Sequence, residues 1–160
     1  MKPSVYLETS VISYCAAESS RDIVLLGKQT VTRDWWENHL SKFQTFLSPI
    51  VLEEIQRGNP KAASSRINLV KGVPLLGVNN EIIELAKTIY QEIQLPQKAQ
   101  ADAYHIAIPS FHQIDFLLTW NCSHIANPFI QRQLRRIIEA CGYQPPVICT
   151  PQELLENEND

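Results

Sequence analysis

At 160 residues, with 44% hydrophobic and 19% charged residues, the chain has the make-up of one globular domain large enough to bury a core without disulfide or metal staples. Its formal net charge of −3 excludes a global electrostatic attraction to nucleic acid, so any such contact must rest on a local patch or on bound cations. Four cysteines without C-x-x-C pairing or His/Cys ligand spacing read as buried free thiols of a reducing compartment; the absence of a signal-like or membrane-length apolar run predicts a cytoplasmic protein with no membrane partner.

The chain begins with a β-branched and aromatic run, Val5-Tyr6-Leu7, that ends in Glu8 and is followed by the hydroxyl residues Thr9 and Ser10, suited to capping a helix. From there to about Leu40 the pattern is helical but irregular. The pair Trp35-Trp36 within it reads either as a stacking platform for nucleic acid or as a core or dimer contact. A second strand is expected over Phe43–Leu47. Ser48-Pro49 then provides a cap and a first-turn proline for a helix that carries Val51, Leu52 and Ile55 inward and stops at Gly58-Asn59-Pro60. Glu53 and Glu54 fall in its early turns, where the helix dipole favours anions.

A helix over Lys61–Val70 and a short strand over Pro74–Val78 follow. Next comes a regular amphipathic helix, Glu81–Ile93, capped by Asn79 or Asn80. Another helix starts near Lys98, with Asp102 in its first turns, and Pro109 predicts a kink or early end because it removes a backbone donor. The strongest strand signal is Phe116–Trp120, closed by Asn121. Asn127-Pro128 caps a helix with Ile130, Leu134, Ile137, Ile138 and Cys141 inward, and Gly142 ends it. Val147–Cys149 is the last strand, and Thr150-Pro151-Gln152-Glu153 has capping-box spacing for a short final helix before a frayed acidic tail at 156–160.

Strands alternating with helices, without repeat or linker, predict a single domain over residues 1–160: a three-layer α/β/α sandwich around a central parallel sheet. Ligands of such sheets bind outside the carboxyl ends of the strands. Topology gathers Glu8, the Glu53/Glu54 pair, Asp102 and Asn121 at that edge. Crowded carboxylates repel unless a cation neutralises them, and hard oxygen donors suit magnesium or manganese over zinc. Such a site activates water and stabilises a leaving oxygen in phosphodiester cleavage. Against this stands the plainer reading that each acid is a solvated residue at a helix start.

Four stretches, Tyr6–Ser13, Ser48–Ile55, Asp102–Ala107 and Leu117–Asn121, resemble the successive motifs of PIN-domain proteins, in order and over about Val5–Leu155. The run Asn121–Asn127 resembles a VapC-like bacterial toxin subgroup. The resemblance implies a Mg2+- or Mn2+-dependent endoribonuclease, the toxin of a type II toxin–antitoxin pair, with RNA as substrate, a cognate antitoxin and a homodimer as partners. It places the catalytic carboxylates at Glu8, Glu54 (not Glu53) and Asp102, and the metal ligands at Glu8, Asp102 and Asn121. Two positions depart from the family pattern: Glu8 stands where the family usually has Asp, and Asn121 where it is often acidic.

Around these, Ser10, Thr119 and His124 are candidate substrate contacts. Ser10 and Thr119 alternatively orient the carboxylates, and His124 alternatively makes a structural hydrogen bond. His105, three residues after Asp102, reads either as a partner of the acids or as a core or surface histidine. Asp115 is a candidate outer carboxylate or a loop-start residue. Arg132, Arg135 and Arg136 form a basic helical patch, either an RNA-backbone contact or a solvated face. Two other functions are weighed: a non-catalytic PIN-like module binding RNA or protein, and a phosphotransferase with Glu8 as nucleophile.

Overall fold

The computed structural model describes residues 1–155. The expected acidic tail lies outside them. Strand β1 (Ser4–Leu7) is fully buried at Val5, Tyr6 and Leu7, as a strand covered by helices on both faces must be. It pairs in parallel with β2 (Gln44–Phe46) on one side, Tyr6 opposite Phe46, and with β3 (Phe116–Leu118) on the other, Tyr6 opposite Leu117. Strand β4 (Val147–Cys149) pairs with β3, giving the all-parallel order β2-β1-β3-β4. The predicted α/β/α sandwich is therefore the observed architecture.

Among the described residues seven α-helices connect and cover the sheet: α1 (Thr9–Ala16), α2 (Ile23–Asn38), α3 (Pro49–Ile55), α4 (Pro60–Leu69), α5 (Asn80–Ile93), α6 (Gln100–Phe111) and α7 (Pro128–Ala140). Helix α1 packs on α2, α3 and α4, while α5 packs on α6 and α7. The core runs through Tyr6, Leu7, Ile12, Trp35, Ile55, Ile82, Ile89, Ile106 and Leu117, all essentially without exposed surface. Trp35 is thus a core residue and Trp36 half-buried against it.

Local signals place most helix starts. Ser48 accepts the Val51 amide at 3.3 Å with Pro49 at the first helical position. Asn59 accepts the amides of Lys61 and Ala62, Asn79 that of Ile82, and Asn127 that of Phe129. Each such cap contributes about 1 kcal/mol. Gly142, at φ +88°, closes the turn after α7 in the left-handed region that glycine enters without strain.

Several expectations are corrected. The irregular segment before Leu40 is two helices, broken at Ala17–Asp22 where Asp22 accepts the Leu25 amide. The Pro74–Val78 strand shrinks to a single parallel bridge, Leu47 with Leu75, since Pro74 offers no amide to a ladder. Helix α6 continues two residues past Pro109, because the proline lies in its last turn and few helical bonds remain to be lost. Thr150 and Glu153 form the capping-box bonds, Thr150 N–H to Glu153 Oε1 at 3.0 Å, yet only a turn follows. Of the four free cysteines only Cys149 is buried; Cys15 is half-buried, and Cys122 and Cys141 are exposed, Cys141 because it caps the end of α7. Burial pushes the Cys149 thiol up to about 12 and the Cys15 thiol to about 11, so both stay protonated.

One topological feature positions everything that follows. The chain leaves β1 toward β2 and leaves β3 toward β4, in opposite directions along the sheet. The carboxyl ends of the adjacent strands β1 and β3 therefore open a crevice, the place where ligands bind in open α/β sheets.

Candidate active site

Glu8 follows β1 directly into that crevice and is nearly buried, at 5% exposure. It is itself the cap of α1, a role the sequence suggested for the hydroxyls after it. Its backbone is extended (φ −75°, ψ 153°), which turns the side chain back over the first helical turn. Oε2 accepts the Ser10 amide at 3.0 Å, the Ser10 hydroxyl, and the Thr119 hydroxyl at 2.8 Å. All the Glu8 side-chain hydrogen bonds among the described residues fall on this one oxygen, leaving Oε1 without a donor.

The hydroxyls that hold Glu8 are themselves held from β3. Ser10 Oγ accepts the Trp120 amide at 2.8 Å, and Thr119 Oγ1 accepts the Asn121 amide at 2.9 Å. Thr119 has no exposed surface, and its hydroxyl is enclosed and engaged as both donor and acceptor. Ser10 does the same work from α1, although it keeps some exposed surface.

Asn121 Oδ1 accepts the His124 amide at 3.0 Å, and its backbone carbonyl accepts the amides of Ile125 and Ala126. Asn121 thus folds the 121–126 loop, with its side-chain oxygen already engaged. The loop delivers His124, whose Nδ1 lies 3.1 Å from Asp102 Oδ2. The structural hydrogen bond expected as one of two roles for His124 is therefore present. The Asp102 side chain is 16% exposed. A continuous path of bonds, Glu8–Thr119–Asn121–His124–Asp102, ties the first strand to the start of α6.

Glu54 completes the acidic group from α3. Its neighbour Glu53 turns to solvent and pairs with Arg57 at 2.7 Å, whereas Glu54 accepts the Thr9 hydroxyl at 3.0 Å and is bonded by His105 Nε2, both at Oε1. His105 is completely buried, and its other nitrogen, Nδ1, lies 2.9 Å from the Tyr6 hydroxyl. Tyr6 in turn meets Ser48 Oγ at 2.8 Å. Burial opposes charge on both members of the Glu54–His105 pair, but their contact overrides it. The His105 bond and charge hold the Glu54 carboxyl below its ordinary range, while the bond to Glu54 and the charges of Glu8, Glu54 and Asp102 hold the imidazole above its own. Burial, the largest influence, keeps the Tyr6 phenol protonated far above neutral pH.

His105 is the residue whose part sequence reading left undecided. It is buried like a core histidine, yet both nitrogens are engaged and it stands in the field of all three carboxylates. The available signals were the i, i+3 spacing from Asp102, which puts both on neighbouring helical positions, and a phenol in the middle of a buried strand, which demands a partner. Asp115 lies elsewhere. At the opposite, amino end of β3 it accepts the Ser4 amide and hydroxyl at 2.8 and 2.9 Å, the loop-start role. Arg132, Arg135 and Arg136 line a surface hollow on α7, Arg135 pairing with Glu139 at 3.1 Å.

The donor set fits a hard cation. Glu8 Oε1 and Asp102 Oδ1 carry no hydrogen bond among the described residues, and both carboxylates are fixed through their other oxygen. Among the described residues no group of three or more His, Cys, Asp or Glu side chains forms a ready cage. Hard carboxylate oxygens of this kind suit Mg2+ or Mn2+, which keeps several waters and takes one or two carboxylates. Among the described residues no helix is long and apolar enough to cross a membrane.

No family model and no curated protein matches the sequence. Solved structures do match the fold. VapC20 of Mycobacterium tuberculosis, a sarcin-ricin loop cleaving toxin, aligns with a TM-score of 0.53 at 15% identity over 89% of this chain and 100% of its own. VapBC2 of Rickettsia felis, bound to a DNA fragment from its promoter, aligns with a TM-score of 0.53 at 12% identity over 91% and 97%. At such identities the likeness speaks for architecture: this chain has the PIN-domain fold of the VapC toxin structures.

Proposed function

We propose that this chain is a Mg2+- or Mn2+-dependent endoribonuclease and the toxin of a bacterial type II toxin–antitoxin pair, working in the cytoplasm. The observation that carries the reading is the meeting of Glu8, Glu54 and Asp102, from three distant segments, around one crevice of a VapC-like fold. VapC20 is a sarcin-ricin loop cleaving toxin, and VapBC2 is bound to a DNA fragment from its promoter; an RNA substrate, a cognate antitoxin and a homodimer are part of the proposal for this chain.

Glu8 and Asp102 would hold the cation through their unbonded oxygens, and Asn121 would contribute a second lone pair of its amide oxygen. When bound, the cation supplies positive charge at the reacting phosphate and lowers the pKa of water. Ser10 and Thr119 keep Glu8 from rotating, because both hydroxyls and one amide grip the same oxygen. His124 holds Asp102 by donating from Nδ1 to Oδ2, and its Nε2, which has no bond among the described residues, remains for contact with the RNA.

The test is direct. Purified protein incubated with ribosomal RNA should cut it with MnCl2 or MgCl2, lose cutting with chelator, and lose it in Asp102→Asn. Cleavage that persists in purified Asp102→Asn would overturn the assignment. The second reading, a non-catalytic binding module, has one observation in its favour: the Asn121 oxygen is already engaged by the His124 amide. Tight, metal-independent RNA binding without cleavage would establish it.

A further inference from the structure

We propose that the buried Tyr6–His105 pair positions Glu54 as the proton-accepting carboxylate of the site and withholds it from the cation, which falls to Glu8, Asp102 and Asn121. The inference rests on the metal-dependent nuclease reading but concerns residues that reading leaves without a task.

The argument begins with valence. Tyr6 Oη, Ser48 Oγ and both nitrogens of His105 belong to residues without exposed surface. Their donors and acceptors must therefore close on one another. One arrangement closes completely. The Val51 amide donates to Ser48 Oγ, Ser48 O–H to Tyr6 Oη, Tyr6 O–H to His105 Nδ1, and His105 Nε2–H to Glu54 Oε1. With the imidazole doubly protonated the middle reverses: Nδ1–H donates to Tyr6 Oη and Tyr6 O–H to Ser48 Oγ, while the bond from Nε2 to Glu54 is kept. The contact with Glu54 thus survives in either state of the ring.

That contact and the Thr9 hydroxyl both fall on Oε1. Glu54 is thereby locked at one oxygen by donors from the start of α1 and from α6, with Oε2 unbonded among the described residues. Glu8 and Asp102 are fixed by neutral hydroxyls or by a half-exposed histidine, whereas Glu54 alone is fixed by a buried imidazole. A carboxylate already matched to that partner gains little from a divalent ion, and the same partner keeps it ionised, so Oε2 stands unprotonated and able to accept a proton. In hydrolysis the water oxygen forms a bond to phosphorus as the bond to the leaving ribose oxygen breaks with its electron pair. The water's proton passes to Oε2 of Glu54, and solvent protonates the leaving oxygen. His105 acts through Glu54 and touches no substrate, so it is a positioning residue.

Three readouts on the full-length protein test this. In proton NMR the wild type should show a slowly exchanging, far-downfield imidazole N–H that is lost in Glu54→Gln and His105→Gln, shifted in Tyr6→Phe, and kept in Asp102→Asn. In calorimetric Mn2+ titrations Glu54→Gln and His105→Gln should keep the wild-type affinity within about twofold, whereas Asp102→Asn loses at least about tenfold, as a lost ligand should. With labelled single-stranded RNA, His105→Gln should lower kcat by about a hundredfold at unchanged KM, the scale of general-base catalysis. Tyr6→Phe, which keeps the ring and its packing, should lower kcat about tenfold and covers the case in which His105→Gln does not fold. A tenfold loss of Mn2+ affinity in Glu54→Gln, the absence of the downfield N–H, or wild-type kcat in Tyr6→Phe and His105→Gln would overturn the proposal. A wild type that neither binds Mn2+ nor cuts RNA would instead remove the nuclease reading, with the NMR signature still deciding the positioning of Glu54.

Discussion

The two ends of the same sheet carry similar residues to different ends. At the amino end Asp115 and Ser4 bridge β3 and β1 through three bonds, two into the carboxylate and one from the Asp115 amide to Ser4 Oγ, all in exposed surroundings. At the carboxyl end Glu8 and Ser10 bridge the same two strands through Thr119 and Trp120, but the acid is nearly buried and is joined by Asp102, Glu54 and His105. The amino end is a clasp. The carboxyl end accumulates charge in a crevice where only a cation or an imidazole balances it. An acid at a strand end therefore says little; convergence of several acids at a point where chain connections diverge says much more.

The sharpest way to break that contrast is by activity. Asp102→Asn should lower Mn2+-dependent RNA cleavage by roughly a thousandfold, in line with the several kcal/mol a bound cation supplies. Asp115→Asn should leave cleavage within about twofold, and equal losses in gel-based rate assays would abolish the distinction between the two ends. Stability separates them next. Glu8→Ala removes the cap of α1 and leaves two hydroxyls and an amide without an acceptor in a nearly closed space, which should cost about 3 kcal/mol in urea unfolding. Asp115→Ala faces water that can replace it and should cost about 1 kcal/mol. A larger loss for Asp115→Ala would mean that the clasp, not the crevice, holds β1 against β3.

Much of this was legible because it is local. Ser48-Pro49 and Asn127-Pro128 announce helix starts through the bonds a short side chain can make to the next turn, and those bonds form; Asn59-Pro60, read as the stop of one helix, is also the cap of the next. Glu8 and Asp102 were legible through topology, since a strand end and a helix start share an edge; Glu54 lies in the last turn of the short α3 and not in the early turns expected of it. Engagement across elements was not. Nothing near His105 in the chain says that Tyr6, 99 positions away, will take its Nδ1, nor that Asn121 will turn its oxygen to its own loop. The helical break at Ala17–Asp22 escaped for a related reason: its signal is one aspartate whose capping bond exists only once the helix starts there.

Acidity and alkalinity act in opposite senses on the two members of the buried pair at the carboxyl end. The Glu54 carboxyl, held below its ordinary 4.5, adds stability above that pH and loses it as pH falls through the folded value. The His105 imidazole, held above its ordinary 6.5, adds stability below that pH and loses it as pH rises through its own folded value. The pair is thus most stabilising between about pH 4.5 and 6.5. The stability difference between wild type and Glu54→Gln should peak in that window at on the order of 1 kcal/mol and shrink on both sides. A difference that stays flat from acid to alkaline pH would mean the two groups do not titrate as a pair.

The smallest effect tests the contrast within a single turn of helix. Glu53 and Glu54 are adjacent on α3, and successive residues of a helix point about 100° apart, so one motif sends one acid to the crevice and the other to water. Glu53 pairs with Arg57 at 2.7 Å with both side chains about two-thirds exposed, 68% and 67%. Solvent screens such a pair, and it should contribute no more than about 0.5 kcal/mol, vanishing in high salt. Glu53→Ala should therefore change unfolding free energy by that little and leave RNA cleavage untouched, whereas Glu54→Ala removes the acceptor of Thr9 and His105 together. If Glu53→Ala lowered cleavage tenfold while Glu54→Ala spared it, the two faces of α3 would exchange roles, and the buried imidazole would be a core residue that happens to touch an acid.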